Sequence, residues 1–126
     1  MSASAPIPKP RGPYSPFVRA GDFIFVSGQG PVDPATDQLS LGDIRHEARI
    51  VLENIRRILA QAGATPDDVV KCSVFLVNMQ DFAAMNEVYA AFFGDNRPAR
   101  TTVEVAKLPG RDMKVEIDCV AYKPVP

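Results

Sequence analysis

The run Val69-Val-Lys-Cys-Ser-Val-Phe-Leu-Val77 constrains the fold more than any other part of the chain. Read with a two-residue period, Val70, Cys72, Val74 and Leu76 fall on one side, and Val69, Phe75 and Val77 on the other. A strand apolar on both sides belongs inside a sheet whose two faces are covered. Two helices are available to supply that cover. Ile44, Ala48, Val51, Leu52, Ile55, Ile58, Leu59 and Ala62 recur with a helical period, with Gly42 or Asp43 as the capping region and Gly63 as the stop. Phe82, Met85, Val88, Tyr89, Phe92 and Phe93 predict a second helix over 82–93, with Asp81 at its N-cap and Gly94 at its end. Because the helices alternate with strands in a two-layer plan, both are expected on one face of a mixed sheet. The fold class is α/β, of the α+β two-layer kind.

The other face must then meet something else. Phe23-Ile-Phe-Val-Ser27 reads as a strand that stops at Gly28-Gln-Gly-Pro31. Ala20-Gly-Asp22 reads as a hairpin turn from a short strand at 15–19, which Pro16 places at an edge. Pro34-Ala-Thr-Asp37 is a further turn. Short strands are expected at Thr101–Val105 and Met113–Tyr122, on either side of a turn at Leu108-Pro-Gly110. In the last strand Met113, Val115, Ile117, Cys119 and Ala121 form an apolar side, and Lys114, Glu116, Asp118, Val120 and Tyr122 a mixed one. A half-apolar face left bare by the helices is expected to pack against partner subunits; the blander reading is a monomer with a partly wet sheet.

A chain of 126 residues has room for one hydrophobic core. Residues 1–11, proline-rich and without periodicity, read as a flexible N-terminal arm, and 12–126 as a single domain. Fourteen basic against fifteen acidic side chains leave a net charge of −1, so nucleic acid is a poor default partner. The N-terminus lacks the apolar segment of a signal peptide, and no stretch is apolar for long enough to span a bilayer; the cytoplasm is the expected location, with no membrane partner. Cys72 and Cys119 read as reduced, buried thiols. With one histidine, His46, set among Arg45, Glu47 and Arg49 as a solvated residue, no metal site is expected. Glu53 and Arg57 read as an i,i+4 surface pair.

Five polar side chains stand where chemistry is feasible. Tyr14 follows Gly-Pro, which fixes the local backbone, and Ser27 and Gln29 sit where a strand breaks at glycine. Arg100 follows Pro98-Ala99 at the start of a strand, and a guanidinium suits a carboxylate gripped by two parallel bonds. Glu116, on the mixed side of the last strand, has the chemistry of a base or a water-orienting acceptor. Each also has an ordinary reading: an amphipathic surface tyrosine, a simple turn, a solvated arginine, a paired strand glutamate. The glycines make no phosphate-binding loop, and His46 alone supports no nucleophile–histidine arrangement.

Taken in order, Gly12-Pro-Tyr-Ser15, Phe25-Val-Ser-Gly-Gln29, Val70-Lys-Cys-Ser-Val-Phe-Leu76, Asp81-Phe82 with Met85-Asn86, and Pro98-Ala-Arg-Thr-Thr-Val-Glu-Val105 resemble the Rid family. These are the reactive-intermediate (enamine/imine) deaminases, also called the YjgF family, with older translation-inhibitor and endoribonuclease L-PSP names. The likeness runs from about residue 11 to 123, and its strength lies in the order and spacing of the motifs.

That resemblance implies a chorismate-mutase-like fold and a homotrimer whose sheets form a barrel-like core, with clefts between subunits. By the same resemblance Arg100 binds the substrate carboxylate, Tyr14, Ser27, Gly28, Asn86 and Thr102 line the substrate site, and Glu116 orients or activates water. Many imine deaminases carry a cysteine where this chain has Thr102, so no thiol is available there. The implied reaction needs no cofactor: hydrolysis of reactive 2-imino or enamine acids, such as 2-iminopropanoate or 2-iminobutanoate, to 2-oxo acids and ammonia. Two alternatives are carried beside it. One is a family member that binds small carboxylates or protects without rapid turnover; the other is an endoribonuclease, against which the low net charge and the lack of interleaved aromatic and basic residues both count.

Overall fold

Gly21, with a left-handed φ of 61°, turns strand β1 (Phe17–Ala20) back along β2 (Phe23–Gln29) in the expected hairpin. The computed structural model describes residues 5–126. After β2 a small hairpin, β3 (Val32–Asp33) and β4 (Gln38–Leu39), brackets the Pro34–Asp37 turn and forms a separate two-stranded sheet. Helix α1 (Ile44–Gln61) follows, then β5 (Val69–Leu76), α2 (Phe82–Phe93), β6 (Ala99–Glu104) and β7 (Val115–Tyr122). The main sheet runs β1-β2-β7-β5-β6. Only β5 and β6, joined through α2, are parallel. Pro16 lies just ahead of β1, which is an edge strand as expected.

Both helices lie on one face, and the core forms between them and the sheet. Val51, Ile55, Leu59, Cys72, Val74, Val115 and Ile117 are fully or almost fully buried. Asp43 caps α1, its Oδ1 accepting from His46 N at 2.8 Å, and Gly63 ends it with φ 85°. Cys72 and Cys119 are both free and buried, and face each other across β5 and β7. The opposite face is bare and apolar: Val18, Phe23, Phe25, Val103 and Tyr122 are each between 39% and 54% exposed. Single apolar surface residues need no explanation, but Val18, Phe23, Phe25 and Tyr122 cluster on three adjacent strands, with Val103 apart on the far edge strand, on the mixed face that the last-strand pattern anticipated.

Several local readings change. Val69 pairs with Ala121 and Lys71 with Val120, so Val70 is an extra residue in β5. This bulge buries Val69 and Cys72 together and turns Val70 outward, away from the side on which simple alternation had set it. Asp81 makes no side-chain cap; instead a short 3-10 turn, Met79–Asp81, precedes α2, and Asn78 Oδ1 accepts from Gln80 N at 2.9 Å. Glu53 pairs with Arg56 at 3.2 Å, while Arg57 turns to donate to Asn54 Oδ1. Glu47, next to the exposed His46, is wholly buried.

Residues 5–11 form no helix or strand, in keeping with their prolines, but they lie against the domain. Ile7 packs on the core, Lys9 N donates to Asp37 Oδ1 at 3.1 Å, and the Arg11 guanidinium donates to the Asp37 carbonyl. The first four residues of the expected arm lie outside the described residues.

Candidate functional site

The break in β2 is a second bulge. Val26 pairs with Cys119 and Gln29 with Ile117, so β2 spends one residue more than β7 across Ser27-Gly28. A bulge re-aims the side chains beside it. Here it brings the Gly28 backbone against the Glu116 side chain, so closely that a Cβ on Gly28 would lie 2.8 Å from Glu116 Cδ and overlap its carboxylate. Tyr14, Gly28 and Glu116 line one cavity of about 90 Å³, with Leu39 and Met113 in its apolar lining. Tyr14 is held by backbone contacts: its N–H donates to the Gly12 carbonyl at 2.9 Å, and its Oη accepts from Arg11 N at 3.2 Å. Ser27 stands next to this group, with its hydroxyl proton committed to the Ser15 carbonyl at 2.6 Å. It therefore ties the Tyr14 segment to β2 and has only lone pairs left for a ligand.

Glu116 is half-buried, and its carboxyl titrates above the ordinary 4.5. Burial, which penalises the charged form, is the larger cause, and the Asp118 carboxylate two residues along the same face adds to it.

Arg100 belongs to a second group. It pairs with Cys72 of β5, which pairs with Cys119 of β7, so all three point to the helix-covered side. Its guanidinium carbon lies 4.7 Å from the Tyr89 ring centroid and 5.5 Å from that of Phe82, both on α2. Asn86 lies between those two residues on the same helix stripe, and its Oδ1 is buried with no hydrogen-bond partner among the described residues. Thr102 follows Arg100 on the same side of β6, paired with buried Val74.

The two groups therefore stand apart within one chain. Glu116 pairs with Phe75 and Phe75 with Val103, on the bare face, whereas Arg100 points to the helix face. Strands β7 and β6 are two places apart, about 10 Å. Tyr14, Ser27, Gly28 and Glu116 come together, as do Arg100, Asn86 and Thr102, but the sheet separates one set from the other.

Other polar residues positioning these groups went unread in the sequence. Glu47 Oε1 accepts from Lys114 N at 2.7 Å, and Oε2 from Gly42 N at 3.2 Å and Lys114 Nζ at 3.3 Å. That carboxylate ties α1 to the residue leading into β7, two positions before Glu116. Buried Asn54 donates to the Val32 carbonyl at 2.8 Å and fixes the small hairpin beside the cavity. The helical period supplied a signal for both: positions 47 and 54 fall on the stripe of Ile44, Ala48, Val51 and Ile55. Among the described residues no group of three or more His, Cys, Asp or Glu side chains is placed to hold a metal ion. Nor, among them, is any helix long and apolar enough to cross a membrane.

A two-layer α+β chain with a bulged strand opposite an edge-strand arginine defines a class that comparison with known proteins makes specific. Residues 4–123 match the family described as Endoribonuclease L-PSP. A RutC family protein of Pyrococcus horikoshii is 53% identical over 116 residues, covering 92% of this chain and 91% of that protein. TdcF of Escherichia coli, named for a candidate reactive intermediate deaminase activity, is 41% identical over 115 residues, covering 89% and 88%. Its crystal structure with bound serine superposes with a TM-score of 0.86 over 98% of this chain and 96% of that one. A Thermotoga maritima protein described as a candidate endoribonuclease superposes at 0.89, with 45% identity over 99% and 96%. The chain belongs to this L-PSP family, the YjgF/RutC/Rid group, and has its chorismate-mutase-like fold.

Proposed function

We propose that the protein hydrolyses reactive 2-imino acids to 2-oxo acids and ammonia, without a cofactor, at sites shared between subunits of a cytoplasmic homotrimer. The observation that carries this reading is the division of the candidate site. An arginine without an anionic partner among the described residues stands on one side of the sheet, and a half-buried carboxyl on the other, while the face bearing that carboxyl is bare and apolar. A neighbouring copy laid on that face covers the apolar cluster and lets the Arg100 of one chain meet the Glu116 of another. Serine bound to TdcF supports a ligand bearing a carboxylate beside a nitrogen-bearing carbon.

In this reaction Arg100 grips the substrate carboxylate with two parallel hydrogen bonds and fixes the adjacent C=N carbon. Asn86 and Thr102 lie on the arginine's side of the cleft, and Tyr14, Ser27 and Gly28 on the other. Glu116 takes a proton from water as its oxygen bonds to the imine carbon, giving a carbinolamine. A carboxyl held above its ordinary pKa is the better base for that transfer. The C=N electron pair moves to nitrogen and takes up the proton held by Glu116. Glu116 then accepts the carbinolamine hydroxyl proton and passes it to nitrogen as C=O forms and the C–N bond breaks, releasing ammonia and the 2-oxo acid. Imines of this kind hydrolyse unaided, so positioning supplies much of the acceleration.

The test couples an amino-acid oxidase, which generates 2-iminopropanoate in place, to direct detection of imine decay. Losing a partly desolvated charged contact costs about 2–5 kcal/mol. R100A is therefore expected to lose about thirtyfold or more in kcat/KM, and R100K to recover only part of it. An R100A protein that stays trimeric and clears the imine at the wild-type rate removes the reading.

A further inference from the structure

We infer that Tyr89, assisted by Phe82, is a positioning residue that holds the Arg100 guanidinium against an aromatic platform and so sets its affinity for carboxylates. The inference rests on the reading of Arg100 as the carboxylate anchor and extends it to the side chains that hold that anchor. Arg100 is half-buried on an edge strand, yet no carboxylate of the described residues lies within ion-pair distance of it. What it has instead is two rings, with centroids 4.7 Å and 5.5 Å away. A ring face attracts the cation through its quadrupole but accepts few of its N–H groups. The guanidinium is thus held in place while its in-plane donors remain available. A salt bridge would hold it equally well and would consume the donors an incoming carboxylate needs.

The platform itself is fixed. Tyr89 is buried, and its ring packs against Phe93 at 4.7 Å between centroids. Its hydroxyl is buried beside the Cys72 thiol, a weak hydrogen-bonding group, and has no other polar partner among the described residues. A thiol is a poor hydrogen-bond partner, so the ring, more than the hydroxyl, is what the tyrosine supplies at this position. Phe82 and Tyr89 are seven residues apart on α2, two helical turns, and so present neighbouring faces to one side chain of β6. An arginine without that platform must give up its rotamer freedom on binding.

The experiment measures kcat, KM and the Kd for pyruvate in Y89M, Y89F and F82L, and repeats Y89M in an R100A background. Methionine fills the space without a ring face. Y89M is expected to raise KM and the pyruvate Kd together by about two- to thirtyfold with kcat little changed, F82L to do the same more weakly, and Y89F to stay within about twofold of wild type. In the R100A background Y89M is expected to cost nothing further, because its effect passes through the arginine. An equal loss from Y89M in both backgrounds overturns the inference, as does a Y89F loss matching that of Y89M. If Y89M does not fold, F82L and Y89F decide alone: unchanged KM and Kd in F82L overturn it. A large R100A loss beside a silent Y89M sinks only this inference, whereas a silent R100A sinks the anchor reading as well.

Discussion

In the proposed reaction Glu116 must be an anion to draw a proton from water, and its surroundings resist that charge. Burial does most of this, and Asp118 on the same face does the rest. The acid limb of kcat/KM is therefore expected above pH 4.5, the ordinary value for this carboxyl. In D118N the limb should move down but stay above 4.5, because the larger cause remains; an unmoved limb assigns the titration to another group. The same shift bears on stability with a definite sign. A carboxyl whose folded pKa is raised contributes stability that is present below its unfolded pKa and lost as pH rises through the folded one. E116Q, which has no charge to bury, is expected to match wild type in acid and to unfold at higher denaturant above that window. Its kcat should fall while its affinity for a carboxylate ligand holds. Denaturant midpoints across the pH range, and equal kcat values for E116Q and wild type, are the checks against both claims.

At the scale of elements, the approach to β7 is set by Glu47. Its carboxylate satisfies two backbone N–H groups and the Lys114 ammonium, which is itself 38% exposed. E47A strands the two amides while leaving the ammonium access to water, so a loss of about 2–3 kcal/mol is expected from chemical denaturation. E47Q keeps one acceptor oxygen but sets an NH2 donor against the remaining N–H groups, so it should lose less than E47A without matching wild type; equal losses would mean that a single acceptor gives the strand no support. Such a residue shows which parts of the fold could be read from sequence. Helix α1 and strand β7 were legible because long runs kept one period, and the hairpin at Gly21 because its turn chemistry is local. Glu47 sat on the apolar stripe in plain view, but its charge argued for solvent. The bulge at Val70 left no such trace, and glycine marked the one at Ser27-Gly28 only as a strand end, since one extra residue in a strand is defined only against its partner. For the same reason Arg100 and Glu116 could each be named in sequence while their placement on opposite faces could not. That fact belongs to the pairing of β6 with β5 and β5 with β7.

For the whole molecule, the bare face and the divided site make one claim in two forms. Three chains of 13.7 kDa give a particle of about 41 kDa, which analytical ultracentrifugation at micromolar concentration should find. A stable monomer would defeat both forms at once. Subunit mixing then tests the shared site separately from the assembly. R100A and E116Q are each expected to be nearly inactive as pure trimers. When the two are unfolded together in equal amounts and refolded, a site that takes its arginine from one chain and its glutamate from the next is intact wherever an E116Q chain supplies the arginine to an R100A neighbour. Random assembly makes about one quarter of the sites intact. Activity should therefore return to about a quarter of the wild-type value per site, and should be absent when the variants are mixed without unfolding and do not exchange. A site assembled within one chain has no such combination available, because every chain in the mixture lacks one of the two groups. Trimers that form in full but recover no activity would keep the assembly and reject the shared site, which no measurement on the separate variants can do.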